Sequence, residues 1–350
     1  MSVPPPTLST VIVAHDCREA IMGTLRALTP ELRNGDEVIV VDNASSDGTP
    51  EAVRAAVPGA TVIEAGANLG FPAACNLGAA AASGELLCLL NPDAVPAEGW
   101  REAIERPLVD GRGWAAWQGL VTAERGRIVN TRGGVVHFTG IAWAGGAGEP
   151  LDADAEAWAA QEPGFVSGAC LAIPRRALLD AGGLAEDFFL YHEDVDLSLR
   201  LRLAGGRLGV EPAARVDHSY EFDKGPEKWR HLERNRWATL IRTYPSTLLA
   251  LLIPALIATE LALVAVSLAG GWLPQKLAAY ADTLRALPRL LRERRGIQAG
   301  RRVGARELAG ALSPELGSAY LGRAGRSRLL GAGLRAYWSV TLALIGARGR

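Results

Sequence analysis

Four short apolar runs alternate with three helical stretches in the first hundred residues, and this alternation limits the possible folds more than any other feature. Residues 10–14, 37–41, 60–64 and 86–90 read as strands. Residues 18–28, 50–57 and 73–82 read as helices, with Ile21, Leu25 and Leu28 on one face of the first and Pro50 near the start of the second. Continuous β-runs joined by helices imply a mostly parallel sheet covered on both faces, hence an α/β fold of Rossmann-like type. Ligands on such sheets bind beyond the carboxyl ends of the strands. His15, Asp42 and Asp93 lie just past three of those ends, so they should converge on one crevice.

Residues 100–165 are irregular and rich in Gly and Trp, and read as further strands and long loops. The pattern tightens again over 165–220: a compact run at 168–173, a helix from about Pro174, an acidic helix opening at Glu193, and a short strand at 207–210 leading into Val216-Asp217-His218. From residue 247 to 273 the chain is nearly all apolar, interrupted by Pro254, Glu260 and Gly270-Gly271. An arginine-rich stretch from Arg285 to Arg306 follows, then a short apolar piece at 337–345. A boundary near residue 245 therefore separates an α/β domain, 1–245, from a helical region, 246–350.

Composition excludes several classes. The formal net charge of −1 offers no field for nucleic acid. The four cysteines, Cys17, Cys75, Cys88 and Cys170, are scattered without a CxxC pair, which fits neither a disulfide framework nor a zinc site and suits a reducing compartment. Residues 1–6 have no basic n-region or apolar h-region, so no secretory signal is expected. Only three lysines occur among 37 basic residues, the mark of a GC-rich genome rather than of arginine chemistry everywhere.

Several residues carry chemistry. Asp42, just past a buried strand, is placed to accept hydrogen bonds from a nucleobase or ribose. Asp47, Ser45 and Ser46 read instead as turn formers and caps of the next helix. The loop from Asn68 to Asn76 enters a helix whose N-terminus favours a diphosphate, or it is an ordinary loop with Asn76 satisfied internally. Asn91-Pro92-Asp93 ends an apolar run in a carboxylate. Hard cations at a diphosphate need only one or two such ligands plus phosphate and water, and the plainer reading of Asp93 is a turn former. Glu193, Asp194 and Asp196 crowd the first turn of a helix. Dipole compensation, worth about 0.3–1 kcal/mol each, accounts for one or two of them. A carboxylate whose pKa is kept low by that helix end would be ionised and able to take a hydroxyl proton. His218 is either a metal ligand or a satisfied core histidine.

Taken together, Val11-Ile12-Val13-Ala14-His15-Asp16, the run from Val41 to Thr49, Asn68-Leu69-Gly70-Phe71, Asn91-Pro92-Asp93, Gly168-Ala169 and the run from Phe189 to Leu197 resemble the family 2 glycosyltransferases of the GT-A fold, over roughly residues 8–240. The nearest likeness is to rhamnosyltransferase-like members of cell-envelope polysaccharide assembly. The resemblance implies a nucleotide-sugar half up to about residue 100 and an acceptor half from there to 245. It implies inversion by one displacement, with Asp194 as the base. Val13, His15, Asp42, Asn68, Asn76, Asn91 and Asp93 would line the nucleotide-sugar donor. Asp93 and His218 would hold Mg²⁺ or Mn²⁺, and Gly168, Glu193 and Asp196 would shape the acceptor side. The first acid of the common DxD pattern is Asn91 here, which leaves the metal shell to Asp93, His218 and the phosphates. The processive Gln-x-x-Arg-Trp signature is not apparent, so one or a few sugars are added.

An unbroken helix over 248–268 would be about 30 Å long, enough to cross a bilayer. Pro254 and Glu260 argue against a clean span, and arginines lie on both sides. A broken pair of helices in the membrane interface, with the basic stretch on anionic headgroups, fits better. The alternative is a helical subdomain packed on the catalytic domain, or a homodimer interface. The expected enzyme is thus an inverting, metal-assisted glycosyltransferase using an NDP-sugar such as dTDP-rhamnose and a glycan or polyprenyl-linked acceptor. It would sit on the cytoplasmic face of the plasma membrane and bind no nucleic acid. Two rivals remain: a non-catalytic nucleotide-sugar-binding scaffold, which Asn91 keeps open, and a sugar-nucleotide nucleotidyltransferase, which wants a Gly-rich basic loop where Ala14-His15-Asp16-Cys17-Arg18 stands.

Overall fold

The computed structural model describes residues 5–151, 158, 161–218, 225–317 and 327–348. The chain divides into two compact units, one of residues 1–134, 144–198 and 206–221, the other of 135–143, 199–205 and 222–350.

The first unit is built on β1 (Leu8–Ala14), α1 (Arg18–Leu28), β2 (Glu37–Asp42), α2 (Thr49–Ala56), β3 (Thr61–Glu64), α3 (Phe71–Ala81) and β4 (Leu86–Leu90). The expected alternation is present, with ends shifted by one or two residues. It continues with β5 (Ala94–Pro96), α4 (Trp100–Val109), β6 (Trp114–Ala123), β7 (Ile128–Thr131), β8 (Cys170–Pro174), α5 (Arg175–Asp180), the start of α6 (Glu193–Leu203), whose residues from Leu199 on are counted in the second unit, and β9 (Arg207–His218). The sheet runs in the order β3-β2-β1-β4-β8-β6-β9-β5, with β7 beside β6. Its first four strands are parallel. Beyond them β8 runs antiparallel to both β4 and β6, while β6 and β9 are parallel.

Register explains where the chemistry gathers. Ala14 pairs with Asp42, and the last residue of β4, Leu90, pairs with the first of β8, Cys170. Antiparallel β8 therefore brings the residues before it, Gly168 and Ala169, to the carboxyl edge of β4. The N–H of Asn91 donates to the Ala169 carbonyl at 3.0 Å. At the far end of β9, His218 pairs with Ala94 of β5, just after Asp93.

Helix α4 stands where the sequence leads one to expect strands and long loops. Its buried face holds Trp100 and Ile104 but also Arg101 and Glu105, four residues apart and hydrogen-bonded at 2.6 Å. Arg101 also grips both oxygens of Asp36, and Arg33 bonds Glu105. Charged residues on the inner face erase the apolar period by which a helix is recognised. Strand β9 is 12 residues long rather than four. Pro212, which has no N–H to donate, falls where the register with β6 slips between Glu211 and Arg215, so the strand bulges and resumes.

The second unit is helical: α7 (Glu227–Thr243), α8 (Ser246–Ala269), α9 (Leu273–Ala299), α10 (Ala305–Gly310) and α11 (Arg328–Arg348). The expected break in residues 248–268 is absent. Helix α8 is continuous over 24 residues, with Pro254 inside it. A proline removes one backbone bond and crowds the turn before it. Here the Tyr337 hydroxyl donates to the Leu251 carbonyl at 2.5 Å, supplying a partner within that disturbed turn. Glu260, the second expected obstacle, is paired with Arg236 of α7 and Lys276 of α9 and accepts from the Tyr280 hydroxyl. By length and composition α8 and residues 328–346 of α11 are long and apolar enough to cross a membrane, with mean hydropathies of 2.4 and 1.3.

Candidate active site

The ends of β1 and β2 are stitched together by side chains. The ring Nδ1 of exposed His15 lies 2.9 Å from the Asn43 carbonyl. Asp16, at φ 46°, gives its N–H to Ser45 Oγ and accepts from the Ser46 N–H. Asp47 accepts from the N–H groups of Arg18 and Thr49, so it serves the starts of α1 and α2 as expected of a capping residue. Val13 lies within β1, nearly buried.

Asp42 differs from these. It is 3% exposed, and its Oδ2 accepts from the Ser45 N–H at 3.1 Å. Its Oδ1 is buried without a hydrogen-bond partner among the described residues. A buried carboxylate oxygen without a donor is costly and points to a missing one. The Cys17 thiol is pushed up to about 11, chiefly by burial, with the charges of Asp47, Asp93 and Asp42 adding to the effect.

Asn68 and Asn76 are engaged by the chain itself. Asn68 Oδ1 accepts from the Asn43 amide and the Gly70 N–H. Asn76 donates to the Leu184 carbonyl and to Glu186, and accepts from the Leu184 N–H. The internally satisfied alternative describes Asn76 in this structure. Asn43, not singled out in the sequence, is the hub of this loop: its side chain also accepts from the Leu69 N–H and donates to the Gly70 carbonyl.

Asn91, Asp93 and His218 come together although 127 residues separate the first and last. His218 Nε2 lies 3.0 Å from Asp93 Oδ1 and 3.2 Å from Asn91 Nδ2. Thr24 of α1 fixes the intervening turn by donating to the Pro92 carbonyl at 2.8 Å. This donor set fits a hard divalent cation. Two neighbouring ligands of an octahedral ion, each about 2.1 Å from it, stand about 3 Å apart. No group of three or more His, Cys, Asp or Glu residues suited to a metal occurs among the described residues, so such an ion would take its other ligands from phosphate and water.

The acidic helix supplies the third element. Asp194 Oδ2 accepts from the Gly168 N–H at 3.2 Å and Oδ1 from the Val195 N–H at 2.8 Å. Its pKa is not held low, as the helix end alone would suggest. Burial raises it to about 6, against the lowering pull of the Gly168 and Val195 N–H groups. Burial raises Glu193 further, to about 8, with the charges of Asp194 and Asp196 adding to the effect. Asp196 is fully buried. Immediately before the pair, Phe189, Tyr191 and His192 all have positive φ, at 61°, 69° and 67°. Non-glycine residues are strained there, and such strain persists where surroundings hold it. The hold is visible: the Phe71 N–H donates to the Phe189 carbonyl at 2.7 Å, and a Cβ on Gly70 would fall 2.5 Å from that oxygen. The sequence carried no signal for these conformations.

Residues 9–135 match the profile of Glycosyl transferase family 2. Two relatives, from the CDC 1551 and H37Rv strains of Mycobacterium tuberculosis, are each named N-acetylglucosaminyl-diphospho-decaprenol L-rhamnosyltransferase. They are 29% identical to this chain, covering 58% of it and 73% of their own length. Among solved structures, GalNAc-T7 with UDP, GalNAc and Mn²⁺ superposes with a TM-score of 0.55 at 17% identity, over 69% of this chain and 48% of that one. Staphylococcus aureus TarS gives 0.52 at 16%, over 97% and 54%. This chain thus spans about half the length of each, and at these identities the likeness shows the fold alone.

Proposed function

We propose, on the premise that this chain is a family 2 glycosyltransferase of the GT-A fold, that it transfers a deoxyhexose of the rhamnose kind from a nucleoside diphosphate to a hydroxyl of a lipid-linked glycan, with inversion. The observation that carries this reading is the Asp194 carboxylate, held by the Gly168 N–H at the edge where β4 ends. The name of the mycobacterial relatives supports the sugar and the acceptor class.

In this mechanism Asp42 receives the donor's base or ribose at its unpaired Oδ1. Asp93 and His218 would hold Mg²⁺ or Mn²⁺, which when bound neutralises charge on the diphosphate leaving group. Asp194 takes the proton of the acceptor hydroxyl as that oxygen attacks the anomeric carbon. The bond from that carbon to the diphosphate oxygen breaks, its electron pair leaves with the nucleoside diphosphate, and the configuration inverts. A pKa of about 6 suits this task, since the carboxylate is ionised at neutral pH yet more basic than an ordinary aspartate. Glu193, above its usual range, and Asp196 orient the base from within the helix. Asn68 and Asn76 act through the loops they tie.

The same reading places the enzyme at the cytoplasmic face of the plasma membrane, where a lipid-linked acceptor is presented. Exposed apolar side chains on α8, among them Ile253, Ile257 and Leu261, support it. The experiment is donor hydrolysis and binding across UDP-, dTDP- and GDP-sugars with Mn²⁺, Mg²⁺ or EDTA. One donor bound and slowly hydrolysed in a metal-dependent way is expected. Binding of none would sink the catalytic reading and favour a scaffold.

A further inference from the structure

Within the helical unit, α7, α8 and α9 leave an open groove of about 770 Å³, within the usual size of a small-molecule site. Its walls are apolar: Trp237 and Ile241 of α7, Leu249, Ile253 and Ile257 of α8, and Leu287 of α9. Ile253 and Ile257 are 54% and 56% exposed, an apolar surface that water disfavours and that marks an interaction site.

Polar groups stand at two places in the groove. Glu260 and Tyr280 line one, Ser246 and Arg294 the other. Fourteen residues of helix separate Ser246 from Glu260 along α8, and Tyr280 from Arg294 along α9, or about 21 Å in each case. The charges at the first place cancel. Glu260 and Glu233 face Arg236 and Lys276, two of each sign. The second place has a surplus of positive charge. Arg294 makes no ion pair among the described residues. Three of its five N–H donors go to the Ile241 and Tyr244 carbonyls and to Ser246 Oγ. The charge that acts on it is another cation, Arg301.

An apolar trough about 21 Å long, neutral at one end and cationic at the other, complements a long hydrocarbon chain bearing an anionic head. We propose that this groove binds the chain of a polyprenyl phosphate, with its phosphate beside Arg294. The proposal rests on the lipid-linked acceptor read above and gives that acceptor's lipid a place on this chain.

Farnesyl monophosphate is a soluble probe of both features. With the full-length protein in detergent, equilibrium dialysis should show saturable binding of one molecule per chain. Farnesol and inorganic phosphate, each lacking one half of the probe, should bind at least about tenfold more weakly. Ile257→Trp, which fills the trough from an exposed position, should weaken farnesyl monophosphate binding at least about tenfold. Arg301→Glu, on an exposed residue, should weaken it several-fold, with farnesol binding unmoved. Both variants should hydrolyse the sugar-nucleotide donor as wild type does, which shows that they are folded. If the wild type hydrolyses no donor but binds the probe, the glycosyltransfer reading fails and the groove stands. If donor is hydrolysed and the probe binds no better than inorganic phosphate, or binds Ile257→Trp as it binds wild type, the groove proposal is overturned. Two further outcomes overturn it when no probe binds: a dimer that Ile257→Trp dissociates, assigning the groove to a second copy, and phosphatidylglycerol vesicle binding that Ile257→Trp abolishes, assigning it to the bilayer.

Discussion

The N–H of Gly168 donates to Asp194 Oδ2 at 3.2 Å, joining the turn before β8 to the first turn of α6. Burial pushes the Asp194 pKa up and this donor pulls it down, and the balance is about 6. The transfer rate should therefore fall about tenfold per pH unit below about pH 6, not below the 3.8 of an ordinary aspartate. Asp194→Asn should lower transfer by about 10²–10⁴-fold with donor binding retained, because it removes the proton acceptor and keeps the shape. A pH–rate profile of the wild type and a donor titration of the variant check both parts.

Gly168→Ala isolates the hydrogen bond. A Cβ there would meet the Phe71 ring at 3.3 Å, tight enough that the ring or the Gly168 turn must give by a few tenths of an ångström. Weakening the donor removes a lowering influence, so the acidic inflection of the rate profile should move above about 6. An unmoved inflection, with a merely slower rate, would mean that Gly168 acts by packing alone.

The raised carboxylates also cost stability, and the sign follows from linkage. Glu193 and Asp194 have folded-state pKa values of about 8 and about 6, above their ordinary 4.5 and 3.8. The folded state then holds their protons more tightly than the unfolded chain does. The resulting stability is full below about pH 4 and is lost as pH rises through about 6 and then about 8. Glu193→Gln, which stays neutral, should raise Tm at pH 8 by several degrees and leave it nearly unchanged at pH 4. Thermal melts at the two pH values decide.

Much of the first hundred residues was legible because β1, β2 and β4 are buried almost throughout and α1 keeps a single buried stripe. Helix α1 and strand β4 match their expected limits, and Asp42 ends β2 while Asp93 follows β4, as the pattern of strands and turns implied. The meeting of Asp93 with His218 depends on β9 lying next to β5, a pairing that no local pattern encodes. Helix α4 was hidden by its buried Arg101–Glu105 pair. The continuity of α8 was hidden because the partners that neutralise Glu260 come from two other helices. Likewise, the pKa of Asp194 could not be read from its place at a helix start, since burial by distant elements outweighs the local field. Apart from the Arg101–Glu105 pair, which lies within one helix, a contact remote in sequence reverses in each case what the local residues suggest.

The proposed cation site makes an uncommon prediction. On that proposal Asn91 stands where the DxD pattern has its first carboxylate, and its Nδ2 lies 3.2 Å from His218 Nε2. Asn91→Asp would add an anionic oxygen beside Asp93, and hard cations favour such ligands. The variant should reach half-maximal donor hydrolysis at about tenfold lower Mn²⁺, while Asp93→Asn should need more than the wild type. EDTA should abolish hydrolysis in all three, and added Mn²⁺ should restore it. A wild type indifferent to EDTA would remove the metal from the mechanism.

In the helical unit, Lys276 is fully buried and bonds both Glu233 and Glu260, while Arg236 bonds the same two carboxylates. Burial alone would raise the Glu233 pKa, but Arg236 and Lys276 outweigh it and hold it at about 2. That stability is present above an ordinary glutamate pKa of 4.5 and is lost as pH falls toward about 2. Lys276→Met leaves two carboxylates with a single cation. Breaking a buried pair in this way costs about 3–5 kcal/mol, a fall in Tm on the order of 10 °C. Adding Glu260→Gln to Lys276→Met restores one carboxylate to one cation and should recover most of the loss. Thermal melts of the wild type, the two single variants and the double variant form a cycle that measures the coupling directly. Additive losses would show that Lys276 is stabilised by its packing and not by the charges around it.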